Sequence, residues 1–365
     1  MPVRRVSIVD FRNLVKVDLE LGDGRTAVVG NNAQGKTNLM EALAWLATAS
    51  SFRGVPTEAL VRMGAERAIL RAEVENGGRT TLLEVELAAS GRNRMQVNRN
   101  PVTRVRDLLG YFVATVFGPD DLLVLVKGGP VGRRRYLDDL LVAMHPRHRG
   151  LITDLERILR QRNALLRQAG GRMTREIAST LDVWDDKLAG VGDELGRARR
   201  DLVVLLRPEI ADILDALGDG TRAATLDYES DWLDAGLGSA LAATRPDDIR
   251  RGVTTVGPHR DDLGIRLGGL PSRTHASQGE QRSLALALRL GGHRILGERL
   301  GVDPVIILDD VFSELDEGRA GRLVGLLPST QVLVTAAGTL PTGIHADRVL
   351  RMEAGTIVAD SEAGE

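Results

Sequence analysis

Residues 30–37 read GNNAQGKT, and this octet constrains the fold more than any other stretch of the chain. It fits G-x-x-x-x-G-K-[ST], a loop whose backbone N–H groups cradle phosphate oxygens. Such a loop needs a buried strand before it and a helix after it. TAVV at 26–29 supplies the strand, and Thr37 to Ala47 reads as the helix. Gly30 and Gly35 let the backbone turn its N–H groups inward around Asn31, Asn32, Ala33 and Gln34. The N-terminus of the helix, where Asn38 follows, points at the same place and favours anions. Lys36 brings a point charge to the outer phosphates of ATP, and Thr37 offers a hydroxyl to Mg²⁺.

The partner of this loop lies far along the chain. VIILDD at 305–310 is an apolar strand ending in carboxylates. Asp309 is placed to hold the metal, directly or through water, and Asp310 to orient or deprotonate the attacking water. The catalytic set is therefore Lys36, Asp309 and Asp310, with Thr37 and Asp309 on the metal. Many ATPases of this layout use glutamate where Asp310 stands. Aspartate is one methylene shorter, so slow hydrolysis is expected. A helix-capping or hydrogen-bonding role is the alternative for Asp310.

Composition excludes other classes. The chain has no cysteine, so disulfides, iron–sulfur clusters and thiolate zinc sites are ruled out, which suits a reducing cytoplasm. No run of about 18 apolar residues occurs, so no membrane span or membrane partner is expected. The opening MPVRRVSIVDFRN has no apolar signal core. The net charge is −2, so any grip on DNA must come from a local patch.

Alternating patterns predict strands at 3–9, 15–21, 68–75 and 80–87. From 131 to 217 nearly everything is helix-like, punctuated by Pro146, Gly170-Gly171 and Pro208. Strand-like stretches return at 222–228 and 253–267. A helix follows at 282–297, then buried strands at 304–308 and 331–335 and an edge pattern at 348–358. The expected division is an α/β head formed by 1–115 and 250–365, interrupted by a mainly helical lobe at 116–249. Three breaks in the helical stretch argue for a compact lobe rather than a long coiled coil.

SQGEQ at 277–281 opens the helix, and a serine and glycine there can form a second anion site through Ser277, Gln278, Gly279 and Gln281. Taken alone this is an ordinary helix start. Its meaning comes from the order: phosphate loop, S-x-G-x-Q, apolar strand with Asp, then SELD at 313–316. That order resembles the ATP-binding-cassette (ABC) ATPases. The resemblance implies ATP sandwiched between two copies, with Ser313 and Asp316 at the contact. Transport cassettes carry a histidine after the following strand. Here Ala336-Ala337-Gly338 follows QVLVT instead, and Thr335 is a substitute contact to the outermost phosphate.

Over nearly its full length the chain resembles the RecF family of bacterial recombination mediators, relatives of SMC and Rad50 proteins. The carriers are DFRN (10–13), GNNAQGKTNLMEAL (30–43), FGPDDLLVLVKGGPVGRRRYLD (117–138), TTVGPHRDDL (254–263), ASQGEQRSLALALRL (276–290) and ILDDVFSELDEGR (307–319). The resemblance implies an ABC-type P-loop ATPase head, SMC/Rad50-like, with a short inserted helical lobe. It further implies an ATP-dependent homodimer on double-stranded DNA near single-strand gaps, weak DNA-stimulated ATP hydrolysis, and recombinase loading with RecR and RecO. Arg12 is expected to reach the nucleotide. Two arginine clusters are candidates for DNA: Arg133, Arg134 and Arg135 with Lys127, and Arg197, Arg199 and Arg200. The alternative for either cluster is a solvated helix face. His259, Arg260, Asp261 and Asp262 have poor geometry for a metal, and their role is left open. Two other functions fit parts of the pattern: a DNA-binding scaffold that holds ATP without turnover, and the ATP-binding subunit of a transporter.

Overall fold

The structure, a computed structural model, describes residues 1–118, 124–218, 222–338, 340 and 344–362. Residues 119–123, within the segment 117–138, lie outside the described residues. The chain divides into two units. The first comprises Met1–Leu123, Glu209–Thr221 and Gln278–Glu365; the second comprises Val124–Pro208 and Arg222–Ser277. The inserted region was expected at 116–249, whereas the strand Asp262–Leu267 belongs to the second unit and the helix end 209–216 to the first.

The first unit holds two six-stranded sheets. One is antiparallel, in the order Leu14–Glu20, Val3–Phe11, Arg67–Asn76, Arg79–Ala88, Arg94–Val97, Asn100–Val102. Its longer strands alternate, as in Leu14, Val17 and Leu19 buried against Val15, Lys16, Asp18 and Glu20 exposed, because one face meets the core and the other meets water. In the second sheet Ala114–Phe117, Val305–Leu308, Val332–Ala336, Arg25–Val29 and Arg348–Glu353 run parallel, and Thr356–Glu362 closes the edge antiparallel. Its central strands are buried throughout, the signature of a parallel sheet covered on both faces. Helix Lys36–Thr48 packs against strands of both sheets. Leu39, Leu43 and Leu46 of the helix join Ile8, Leu70, Val85, Ile307 and Leu333 in one core cluster.

The second unit is mainly helical: Pro130–Met144, His148–Ala169, Arg175–Ala216 (whose last turns lie in the first unit), Leu237–Arg251 and the short Ser272–His275. A three-stranded antiparallel sheet, Leu270–Pro271, Asp262–Leu267 and Ala224–Glu229, completes it. Pro146 and Gly170-Gly171 separate helices as expected. Pro208 does not: it sits inside a continuous helix of 42 residues. Proline in a helix interior costs roughly 3 kcal/mol. Leu206, Ile210, Ile213 and Leu214 around it are all nearly fully buried, and each contributes about 1.5–3 kcal/mol, so packing wins. The same balance keeps Pro246 inside helix Leu237–Arg251, where Leu237, Leu241 and Ile249 are buried.

Candidate functional site

The phosphate loop leaves the C-terminal end of strand Arg25–Val29, in the interior of the parallel sheet. Gly30 has φ 153, and a Cβ there would fall 2.3 Å from the Met352 carbonyl oxygen. Gly35 has φ 109, and its Cβ would meet the Asn13 side chain at 2.8 Å. Neither site admits another residue, so both glycines of the motif are fixed by backbone approach as well as by phosphate geometry. Asn31, Asn32 and Ala33 are exposed, and Gln34 is tied down from a distant part of the chain. Ala354 N–H donates to Gln34 Oε1 at 2.6 Å, and Gly355 N–H donates to the Gln34 carbonyl at 2.8 Å. Asn38 Nδ2 donates to Asn13 Oδ1 at 2.7 Å.

Lys36 opens the helix, is 8% exposed, and donates from Nζ to the carbonyls of Gly30 at 2.6 Å and Asn31 at 2.8 Å. Burial pushes its ammonium below the ordinary lysine value, against the opposing pull of Asp310 and Asp309.

Asp309 follows strand Val305–Leu308 and is fully buried. Its Oδ1 accepts two hydroxyls, from Thr37 at 3.1 Å and Thr335 at 2.9 Å. Its Oδ2 is buried and has no hydrogen-bond partner among the described residues. Burial pushes the carboxyl up, the two hydroxyls oppose this, Asp310 adds to the rise, and Arg53 pulls it down. A buried carboxylate oxygen without a partner, beside a threonine hydroxyl at the head of a phosphate loop, fits Mg²⁺. That ion takes one or two carboxylates and fills its shell with phosphate and water oxygens.

Thr335 is 2% exposed. Its hydroxyl donates to Asp309 and accepts the Asp310 N–H at 2.9 Å. Thr335 was expected to contact the outermost phosphate; here the neighbouring parallel strand sets its hydroxyl against Asp309. Asp310 has φ 54, the left-handed region, at the start of the short helix Val311–Glu314. The strand ends there and the short helix begins.

Arg12 lies in the turn after Val3–Phe11 and forms a two-pronged ion pair with Glu41, Nε–Oε2 3.1 Å and Nη2–Oε1 3.0 Å. Glu41 is fully buried on the phosphate-loop helix, where Ser51 also donates to it and Arg53 approaches at 3.8 Å. Sequence reasoning missed Glu41, Ser51 and Arg53; a carboxylate on the apolar face of helix Lys36–Thr48 was the available signal.

Gln278 begins helix Gln278–Leu300, directly after Ser277. A Cβ at Gly279 would fall 2.7 Å from Arg319 Nη1, so the glycine admits that guanidinium. Gln281 is 4% exposed. Arg319 in turn pairs with Asp316 at 3.3 Å, and Asp316 Oδ1 caps helix Glu317–Leu326 by accepting the Arg319 N–H at 2.9 Å. Ser313 Oγ donates to the Asp310 carbonyl at 2.8 Å. The segments SQGEQ and SELD thus meet through Arg319, within the first unit from Gln278 onward.

Two of the arginines considered for DNA are corrected by burial. Arg133 is 7% exposed and forms a fork with Asp262 at 2.8 and 2.7 Å. Arg199 is 3% exposed, forks onto Asp138 at 2.8 Å and donates to the Pro258 carbonyl at 2.7 Å. Neither guanidinium faces solvent, and both are engaged by carboxylates within the second unit. Arg134 is half-buried and donates to the Asp261 carbonyl at 2.7 Å. Lys127 is exposed. Arg135, Arg197 and Arg200 are exposed, near Asp139, Asp193 and Asp234. These contacts also explain GPHRDD. Asp261 is buried and accepts Tyr228 Oη at 2.6 Å and Trp232 Nε1 at 2.7 Å. His259 faces the Thr254 carbonyl at 3.1 Å. The segment is a polar core of the second unit. Trp45 and Trp232 are buried, and Trp184 is half-buried with Lys187 Nζ 5.0 Å from its ring centre.

Among the described residues no helix is long and apolar enough to cross a membrane. A family model described as the RecF/RecN/SMC N terminal domain matches residues 2–354. The chain is 45% identical over 358 residues to DNA replication and repair protein RecF of Frankia alni, covering 92% of this chain and 93% of that protein. It is 46% identical over 353 residues to the RecF of Streptomyces avermitilis, covering 92% and 94%. A solved structure of the recombination mediator protein RecF with ATP, of the RecFOR pathway, superposes with a TM-score of 0.89 at 28% identity, covering 99% and 97%. An SMC head bound to a ScpA winged-helix domain superposes at 0.59 with 17% identity, a likeness of fold. With the head fold and phosphate site in place, these similarities settle the affiliation: the chain belongs to the RecF family of DNA replication and repair proteins, within the RecF/RecN/SMC group.

Proposed function

We propose that the chain is an ATP-driven switch whose two copies close on duplex DNA and open when ATP is hydrolysed. The observation that carries this reading is the buried, unpartnered Asp309 Oδ2 beside Thr37 and the phosphate loop. In this reading residues 30–38 wrap the phosphates of ATP and Lys36 swings from the Gly30 and Asn31 carbonyls onto the outer ones. Mg²⁺, held by Thr37 and Asp309, offsets phosphate charge when bound. Asp310 receives the proton of the attacking water, and its short side chain makes the step slow. Arg12 and Arg53, gathered at Glu41, add positive charge nearby. Ser277, Gln278, Gly279 and Gln281 of one copy cover the outermost phosphate held by the other, with Ser313 and Asp316 at the contact.

The relative solved with ATP in the RecFOR pathway supports ATP as ligand and RecR and RecO as partners. The relatives' role in replication and repair supports action in the cytoplasm at junctions between duplex and single-strand gaps, where the closed dimer helps load recombinase. The split of the head, with a mainly helical unit of 124–208 and 222–277 inserted, belongs to the same reading.

Light scattering on purified wild type, Lys36→Ala and Ser277→Arg, with and without ATP and Mg²⁺, tests the composite site. An ATP-dependent dimer in wild type that both substitutions abolish supports it. A Ser277→Arg protein that dimerises like wild type reduces SQGEQ to a helix start and overturns the switch. Phosphate release with and without duplex then separates a switch from a scaffold: no turnover even with DNA leaves no release step.

A further inference from the structure

The densest run of exposed positive charge lies away from both arginine clusters considered above. It covers the last hairpin of the antiparallel sheet, strands Arg94–Val97 and Asn100–Val102, and the residues just before and after it. Arg92, Arg94, Arg99, Arg104 and Arg106 all stand within residues 92–106, and all are exposed. Elsewhere the outer face of this sheet neutralises itself across strands, with Arg5 on Asp18 at 2.9 Å and Arg71 on Glu84 at 2.9 Å. The hairpin does not. Arg94 reaches Glu86 only at 3.7 Å and shares it with Arg67, and Arg106 lies 3.7 Å from its neighbour Asp107. Arg92, Arg99 and Arg104 have no carboxylate within 4.0 Å among the described residues.

The turn gives a second, independent observation. Asn98 has φ 50 and Arg99 has φ 65. A two-residue hairpin with both central residues at positive φ favours asparagine followed by glycine. An arginine Cβ in this region costs roughly 1 kcal/mol or more. A residue kept in a strained position points to something its side chain supplies. At the tip of a hairpin, in water, that is a guanidinium.

We infer that this arginine hairpin is the surface that grips the phosphate backbone of duplex DNA. The inference rests on the DNA-binding reading above and names its contact. Guanidinium forks match phosphate oxygens two at a time. Arg94 and the tip are four or five residues apart, roughly 13–17 Å at the rise of a strand. This is comparable to the ~12 Å width of a major groove, so the two ends of the hairpin reach phosphates on opposite walls. With net charge −2 the chain has no global attraction to DNA, and a concentrated patch supplies it. Contacts of this kind carry no sequence preference.

The competing use of the same arginines is to keep an exposed sheet edge from pairing with other chains. Duplex binding measured by fluorescence anisotropy on the full-length protein with ATP and Mg²⁺, across about 50–200 mM salt, separates the two. The variants are Arg99→Gly, the triple Arg92→Ser/Arg99→Gly/Arg104→Ser, and Arg157→Ser as a control on the second unit. Arg99→Gly relieves the turn, so its thermal midpoint holds or rises while its salt slope becomes shallower by about 1. The triple variant binds duplex at least tenfold more weakly, with a slope shallower by about 3, and still forms the ATP-dependent dimer. Wild-type affinity and slope in the triple variant overturn the inference. So does a triple variant that aggregates while its soluble fraction binds DNA normally, which assigns the arginines to edge protection. If wild type itself fails to bind duplex, the DNA-binding reading falls and this inference falls with it.

Discussion

Asp309 shows how one buried atom organises a site. Its two oxygens divide the work: Oδ1 is pinned by two threonine hydroxyls, which leaves Oδ2 for a metal. Thr335 holds the system in register by donating to Asp309 and accepting from the Asp310 N–H. Thr335→Val keeps the shape and removes both bonds, leaving a buried N–H unpaired at a cost of about 1–3 kcal/mol. We expect ATP turnover to fall about tenfold or more with a smaller change in nucleotide affinity, read by phosphate release against fluorescent-nucleotide titration. Unchanged turnover would remove Thr335 from the positioning scheme. Asp309→Asn is expected to bind nucleotide with the same affinity with and without Mg²⁺; a persistent Mg²⁺ enhancement would place the metal elsewhere. The sequence made Asp309 legible, because an apolar strand ending in a carboxylate downstream of a phosphate loop has few other meanings. It could not show what Thr335 does, since that depends on which strand lies beside Val305–Leu308.

At the level of elements, legibility followed pattern length. Long alternating strands such as Arg67–Asn76 and Arg79–Ala88 announced themselves. Ala114–Phe117 did not, because four residues with almost no exposed position carry no period. The arginine clusters misled for a geometric reason. Consecutive residues on a helix point about 100° apart, so three arginines in a row cannot share one face: Arg133 is buried, Arg134 half-buried and Arg135 exposed. An unbroken run of exposed arginines lies instead on and around a hairpin, at 92–106. Two buried ionic features give predictions here. Arg162 is fully buried between Asp185 at 2.6 Å and Asp248 at 2.7 Å. Arg162→Met leaves the buried Asp248 without its ion pair, while Asp185 keeps Arg245 at 2.6 Å, and should cost about 3–5 kcal/mol in denaturant unfolding; a loss under about 1 kcal/mol would mean that water reaches Asp248. His293 is 4% exposed, bonds Thr115 at 3.1 Å, and is held neutral by burial, its pKa lowered to about 4. The unfolded histidine titrates near 6.5. Protons therefore bind the unfolded chain first, and the stability present above about pH 6.5 is lost as pH falls towards 4. From pH 7 to pH 5 the His293 share is about 2 kcal/mol, measured as the difference in pH dependence between wild type and His293→Gln.

For the whole molecule, the nucleotide site joins segments from opposite ends of the chain. The loop at 30–37, Asp309, Thr335 and the turn at 354–355 all converge in the first unit. The first strand is also stitched to residue 331, where Val3 N–H donates to Gln331 Oε1 at 2.8 Å and Gln331 Nε2 returns to the Val3 carbonyl at 2.9 Å. Truncation after Glu353 removes the two backbone donors that hold Gln34, and we expect at least a tenfold loss of ATP affinity by titration. Equal affinity in the truncated chain would show that the loop shapes itself. The tie between Gln34 and Ala354-Gly355 has a consequence during synthesis. A ribosome completes the phosphate loop early, yet the donors that set its shape emerge some 320 residues later. The growing chain therefore carries the motif through most of translation without the two N–H donors that bond Gln34.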